Sequence, residues 1–204
     1  YCNLGSVFYD LAELRNNDEG MFNKARDCFL KAIEYKKDDA GAYYNLANVF
    51  YCLARLYNND ENRLNKACEY YQKAIEYKEE FPEAYHYWGY ALYEHSYLIN
   101  DKQKVVKVLK LFFTSYLLFI LQNKWEMVRT VTDELLSISI EINNKKYSII
   151  TQVFSIALKI ININKRNELS ISEIQRLKEF KGKMKKTDIV IDALLYKRKA
   201  ASIK

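Results

Sequence analysis

Glycine and proline are scarce in this chain, five and one among 204 residues. Such composition argues against a fold built on tight turns and suits one made of uninterrupted helices. Histidine is nearly absent. His86 and His95 are nine residues apart, which puts them on opposite faces of a helix, so they cannot share a ligand. His95 falls seven residues after Trp88 and reads as a core histidine. There is no glycine-rich phosphate loop, no G-x-S-x-G and no H-E-x-x-H, so catalytic, metal and cofactor chemistry is not expected. The longest apolar run, residues 111–121, is too short to span a bilayer, which needs about 20 residues, and reads as a buried helix. Cys2, Cys28, Cys52 and Cys68 show no C-x-x-C spacing. They read as free thiols in a reducing compartment such as the cytoplasm. Tyr1 stands where an initiator Met would, already inside a helical pattern, so the chain is expected to be a piece of a longer protein.

Repetition is what the chain has in abundance. Residues 1–42 and 43–84 agree at more than half of their positions, and a weaker third copy opens at Tyr85. Asn16-Asn17-Asp18-Glu19 lies over Asn58-Asn59-Asp60-Glu61, and Lys31-Ala32-Ile33-Glu34-Tyr35-Lys36 over Lys73-Ala74-Ile75-Glu76-Tyr77-Lys78. A period of this length implies a stacked array, because a single unit cannot bury its apolar face.

Each copy contains two helical patterns. In the second copy Tyr43, Leu46, Ala47, Phe50 and Ala54 recur at helical spacing, as do Leu64, Ala67, Tyr71, Ala74 and Ile75. Between them the Asn-Asn-Asp-Glu cluster supplies a turn, a capping side chain and an acidic first helical turn. Asn100-Asp101 and Asn143-Asn144 continue the rhythm. Pro82 stands where a new helix should start, a position that needs no backbone donor.

The pattern resembles the tetratricopeptide repeat: a large aromatic, Leu and Gly, another aromatic, then Ala and an aromatic in the second helix. Tyr1, Leu4, Gly5, Phe8, Ala25, Phe29 and Ala32 carry it in the first copy; Tyr43, Leu46, Ala47, Phe50, Ala67, Tyr71 and Ala74 carry it in the second. Tyr85, Trp88, Gly89 and Leu92 open the third, where Leu109, Phe113 and Tyr116 depart from it. The resemblance implies an all-α, right-handed solenoid of antiparallel hairpins. About ten helices are expected: three repeats (1–42, 43–84, 85–122), then divergent hairpins over 123–204 that continue and cap the stack. Helices are expected at 125–142, 145–163, 169–181 and 188–200. At 42 residues the repeat exceeds the usual 34 by eight, about one extra turn per helix. HEAT-like and Sel1-like solenoids are the architectural alternatives.

The resemblance also implies a non-catalytic scaffold that holds a peptide or helix of a partner protein on a concave groove. Fifteen of the 18 tyrosines precede residue 101. The groove-facing stripe of the first helices would contain Ser6 and Tyr9, then Tyr44, Asn48, Tyr51 and Arg55, then His86, Tyr90, Tyr93 and Tyr97. Asn3 and Asn45 match the family's backbone-holding asparagine, and an amide can pair with any peptide unit. The family's carboxylate clamp is not matched: Cys2, Ser6, Tyr44, Glu83 and Tyr87 stand at its places, with only Asn48 agreeing.

Charge is uneven. Residues 1–100 hold eleven basic and sixteen acidic side chains, net −5, whereas residues 165–204 are net +7. Arg176, Lys178, Lys181, Lys183, Lys185 and Lys186 form the densest basic stretch. Nucleic-acid or anionic-surface binding there is the alternative function. Self-association, through the apolar segment 105–121 or an uncovered first repeat, is another.

Overall fold

The computed structural model of the protein describes residues 1–99 and 101–142. They form seven helices: α1 (Cys2–Leu14), α2 (Glu19–Tyr35), α3 (Ala40–Leu56), α4 (Glu61–Tyr77), α5 (Pro82–Leu98), α6 (Lys102–Leu121) and α7 (Trp125–Ile142). Four starts are capped by aspartate. Asp18 accepts from the Met21 N–H at 3.1 Å, Asp39 from Ala42 at 3.1 Å, Asp60 from Arg63 at 2.9 Å and Asp101 from Lys104 at 3.3 Å. Each bond satisfies a donor that the first helical turn leaves open. Pro82 opens α5 as expected. The Asn pairs make the hairpin turns by adopting left-handed backbone, with φ of 56° and 62° at Asn16 and Asn17 and 55° and 61° at Asn58 and Asn59. Among non-glycine residues, asparagine tolerates that conformation best.

The helices divide between two compact units, Tyr1–Leu118 and Phe119–Lys204. Within the first, α1 to α5 pack consecutively as antiparallel hairpins, and α1 also touches α3, as α3 touches α5. This is an all-α solenoid, with α1, α3 and α5 as one layer and α2 and α4 as the other. Its hairpins close where a small residue meets an aromatic ring. A Cβ on Gly5 would stand 2.7 Å from the Phe29 ring, so hydrogen is the largest substituent that fits there without movement. Leu46, Val49, Leu64, Ala67, Tyr71 and Ala74 are closed to solvent in the second hairpin. Each large aliphatic buried this way contributes about 1.5–3 kcal/mol.

The third hairpin corrects the alignment drawn from a strict 42-residue period. Its ring against Gly89 belongs to Phe112, with Cβ-to-ring distances of 3.1–3.2 Å, and not to Phe113. The cause is the turn. In the first two hairpins the Asp N–H bonds a carbonyl six residues back, Asp18 to Ala12 and Asp60 to Ala54; in the third, Asp101 bonds Ser96, only five back. One residue is missing from the turn, so α6 enters one position early. Val108, Phe112 and Ser115, all fully buried, then take the places of Ala67, Tyr71 and Ala74. The departure at Leu109, Phe113 and Tyr116 is a shift of register, and the small–aromatic–small pattern survives it.

In the second unit α7 covers 125–142, the span the sequence predicts. Val128, Val131, Leu135 and Ile138 recur on one buried face, and the Thr132 hydroxyl donates to the Val128 carbonyl at 2.7 Å. Helices expected at 145–163, 169–181 and 188–200, the residue Asn100 itself and the turn at Asn143-Asn144 lie outside the described residues, so of about ten expected helices seven are described.

Asn58→Ala should lower stability by about 1–2 kcal/mol, whereas Asn58→Gly should leave it unchanged or raise it. Phe112→Ala should cost about 3–5 kcal/mol through the cavity it opens. Urea denaturation of the purified chain measures both.

Candidate functional site

Repetition arranges the first-helix side chains in rows running across α1, α3 and α5. Cys2, Tyr44 and His86 form one row, and Ser6, Asn48 and Tyr90 the next. Tyr9, Tyr51 and Tyr93 form a third; Glu13, Arg55 and Tyr97 a fourth. Between the last two runs a row that the sequence stripe omitted: Asp10, Cys52 and Glu94.

The omitted row explains the tyrosines. The Tyr9 hydroxyl lies 3.3 Å from Cys52 Sγ, and the Tyr51 hydroxyl donates to Glu94 Oε1 at 2.8 Å. Both bonds span 43 residues, so each tyrosine reaches one position past its own counterpart in the next repeat. Together they stitch α1 to α3 and α3 to α5. Glu13 shares the Tyr9 hydroxyl. Burial pushes the Tyr9 and Tyr51 phenols well up, and the neighbouring Cys52 and Glu94 push them further.

The upper rows are tied inward too. Tyr71 of α4, wholly buried, donates to Asn48 Oδ1 at 2.6 Å. The Asn48 amide oxygen, expected on the open groove-facing stripe, thus holds a core phenol. Tyr44 rests among Tyr71, Phe81 and Tyr87 with ring centroids 4.9–6.1 Å apart, an aromatic cluster within stacking range. His86, expected on the open stripe, is only 3 % exposed and packs edge-on to Tyr87, Tyr90 and Phe112. Its burial follows from α5 being covered on two sides, by α4 and by the early-entering α6. His95 is buried as expected; Lys104 Nζ is 3.2 Å from its Nδ1 and Glu61 Oε1 is 3.6 Å from its Nε2.

What faces outward is a narrower set. Tyr97 is 77 % exposed, and Asn3 and Arg55 are exposed. Tyr9, Tyr44, Asn45, Tyr51, Tyr90 and Tyr93 are half-buried, as is Ser6, whose hydroxyl donates to the Cys2 carbonyl. The Arg55 guanidinium stands 5.9 Å from the Tyr51 ring centre. The stripe is an aromatic surface whose hydroxyls are partly spent on the fold. Phe81, Tyr87 and Glu94 belong to it although the sequence stripe left them out. For Glu94 the available signal was position: it is the third-repeat counterpart of Asp10 and Cys52.

The four cysteines are free. Burial holds the Cys68 thiol up at about 12, with Lys107 and Lys104 opposing. Among the described residues no group of His, Cys, Asp and Glu is placed to hold a metal ion. No helix there is long and apolar enough to cross a membrane. The basic stretch from Arg176 to Lys186 (Arg176, Lys178, Lys181, Lys183, Lys185, Lys186) lies outside the described residues.

Tyr71→Phe should destabilise the chain by about 1 kcal/mol, the net worth of a buried hydrogen bond, read as a lower denaturation midpoint. The pH response has a definite sign. Folded-state phenol pKa values at Tyr9, Tyr44, Tyr51, Tyr71 and Tyr116 lie above the ordinary value of 10. The unfolded chain therefore gives up these protons first. Their contribution is complete below about pH 10 and is lost as pH rises beyond it. Tyrosinate absorbance and helical circular dichroism should change together in that range; separate transitions would contradict the burial.

Comparison with known families places these features. Residues 17–53 match the TPR repeat family, a span running from the first Asn-Asp turn through α2 and most of α3. No curated protein matches the chain. Tetratricopeptide repeats are typically non-catalytic modules that mediate protein–protein interaction. The helical hairpins, their close-packed glycines and the family match agree: residues 17–53 are a TPR repeat, and the hairpins of α1 to α5 repeat that unit at 42-residue spacing.

Proposed function

We propose that the chain is a non-catalytic scaffold that binds a peptide segment or helix of a partner protein along the tyrosine stripe of α1, α3 and α5. One observation carries this reading: half-exposed tyrosines stand on a rigid layer, stitched from repeat to repeat by their own hydroxyls. Tyrosine offers a large contact area for the loss of two torsions, and a surface already ordered spends little on binding. Tyr90, Tyr93 and Tyr97 are the contact residues, with Tyr9 and Tyr51 as framework. Asn45 supplies the backbone-holding amide; Asn48 steadies Tyr71.

Affinity capture from nuclease-treated lysate, with the wild-type chain against Tyr93→Ala/Tyr97→Ala, tests the site. Partners bound by wild type should be lost or weakened at least tenfold by the variant, at about 1–2 kcal/mol for each anchoring ring. Its helical content and melting midpoint should stay close to wild type. Equal capture by both proteins would reject the stripe as the binding surface. A Lys183→Ala/Lys185→Ala/Lys186→Ala variant run in parallel reads the alternative, binding through the basic stretch.

A further inference from the structure

The stripe has a charge that its aromatic character does not require. Each tyrosine cluster along it stands beside a carboxylate: Glu13 at the Tyr9 hydroxyl, Glu94 at the Tyr51 hydroxyl and Glu83 near Tyr44. Asp10 adds a fourth and is exposed. Arg55 opposes them from the same stripe, and the charge of Lys36 reaches Cys2 at its first row. The carboxylates come from α1 and α5, yet they line one surface because the array sets those helices in the same layer.

Glu94 is the informative member. Its Oε1 accepts the Tyr51 hydroxyl, while its Oε2 is closed to water and has no hydrogen-bond partner. A carboxylate oxygen kept from water without a partner is costly unless a positive charge compensates it. Because it is desolvated, its field at the neighbouring tyrosine faces is screened less than that of a surface carboxylate. The faces are themselves electron-rich, and a ring face beside a carboxylate attracts an ammonium or guanidinium through two additive effects. Arg55 already displays the geometry, its guanidinium 5.9 Å from the Tyr51 ring centre.

We infer that the stripe selects a cationic client: a partner segment whose lysine or arginine side chains lie over Tyr90, Tyr93 and Tyr97, within the field of Glu94, Glu83 and Glu13. The inference rests on the stripe being the binding surface and adds the chemistry of what binds there. An acidic segment is repelled by the same carboxylates. A neutral aromatic segment gains the ring contacts and leaves Glu94 uncompensated. Charge complementarity therefore decides the occupant, and the ring faces decide where its cations sit.

The test uses the full chain and short fluorescent peptides in which serine and glycine alternate with lysine and arginine, with glutamine, or with glutamate. Fluorescence anisotropy should show the lysine–arginine peptide binding at least about tenfold more tightly than the glutamine peptide, with affinity falling as salt rises. Glu94→Gln, Glu83→Gln and Glu13→Gln should each weaken it by about two- to fivefold. Glu69→Gln and Glu76→Gln, exposed on α4, should leave it unchanged. If the α4 substitutions weaken binding as much as Glu94→Gln, the attraction is diffuse charge and the inference fails. Failure of the lysine–arginine peptide to bind at all also overturns it. If instead the glutamine or glutamate peptide binds best, and only Tyr93→Ala/Tyr97→Ala removes it, the cationic client is wrong while the stripe remains the binding surface. A lysine–arginine peptide indifferent to that tyrosine variant would sink both. Tighter peptide binding after Lys183→Glu/Lys185→Glu/Lys186→Glu would identify the chain's own basic stretch as the occupant and overturn a separate partner.

Discussion

The contact between a small residue on one helix and an aromatic ring on the next is the constraint on which this array depends. At Gly5 the Phe29 ring leaves no room for a methyl group, and at Gly89 the Phe112 ring leaves almost none. A larger residue at either place would push the paired helices apart and reset every spacing further along the stack. Between these two hairpins the second repeat solves the same problem with Ala47 and Tyr71, both closed to solvent. Tyrosine there brings a hydroxyl into the core, and Asn48 accepts its hydrogen bond. A buried phenol needs a partner, so one residue choice in the core has drawn a second from the first-helix layer.

That coupling recurs across the first helices. Tyr9 and Tyr51 reach forward by 43 residues to Cys52 and Glu94, so the side chains that would serve a partner also hold the layer that presents them. A surface of this kind has little ordering left to do when something binds, which favours recognition by preformed complementarity. It also limits what each tyrosine offers: rings face outward, while the hydroxyls of Tyr9 and Tyr51 are engaged. On the proposed function Glu94 then has a role in both tasks, as acceptor for the stitching bond and as a source of the charge that would choose the client.

Much of this was legible in the residues. The 42-residue identity between copies, the Asn-Asn-Asp turns and the small–aromatic pattern specify helical hairpins, and the starts of α2, α4 and α5 follow from Asp18, Asp60 and Pro82, whereas the Asp39 cap of α3 came from the structure. The one-residue shortening before α6 was not legible. Leu109, Phe113 and Tyr116 are apolar and stand at the repeat spacing, so hydrophobicity alone cannot tell them from Val108, Phe112 and Ser115 one step earlier. Nor could the stripe be read fully. His86 shares its row with Tyr44, but the sequence carries no sign that the Phe112 ring closes over it. Glu94 looked like an ordinary helical carboxylate until the fold put Tyr51 against it.

The chain's sequence by itself determined the class of structure and its TPR-like repeat, because repetition, capping and helical periodicity are local or nearly local properties. It also determined that tyrosines would crowd the first helices. Only the tertiary structure decided that the Tyr9 and Tyr51 hydroxyls reach forward into the next repeat, and that Glu94 keeps an oxygen without a partner. Those outcomes depend on contacts about one full repeat apart in the chain, set by helix spacing and by the length of a single turn.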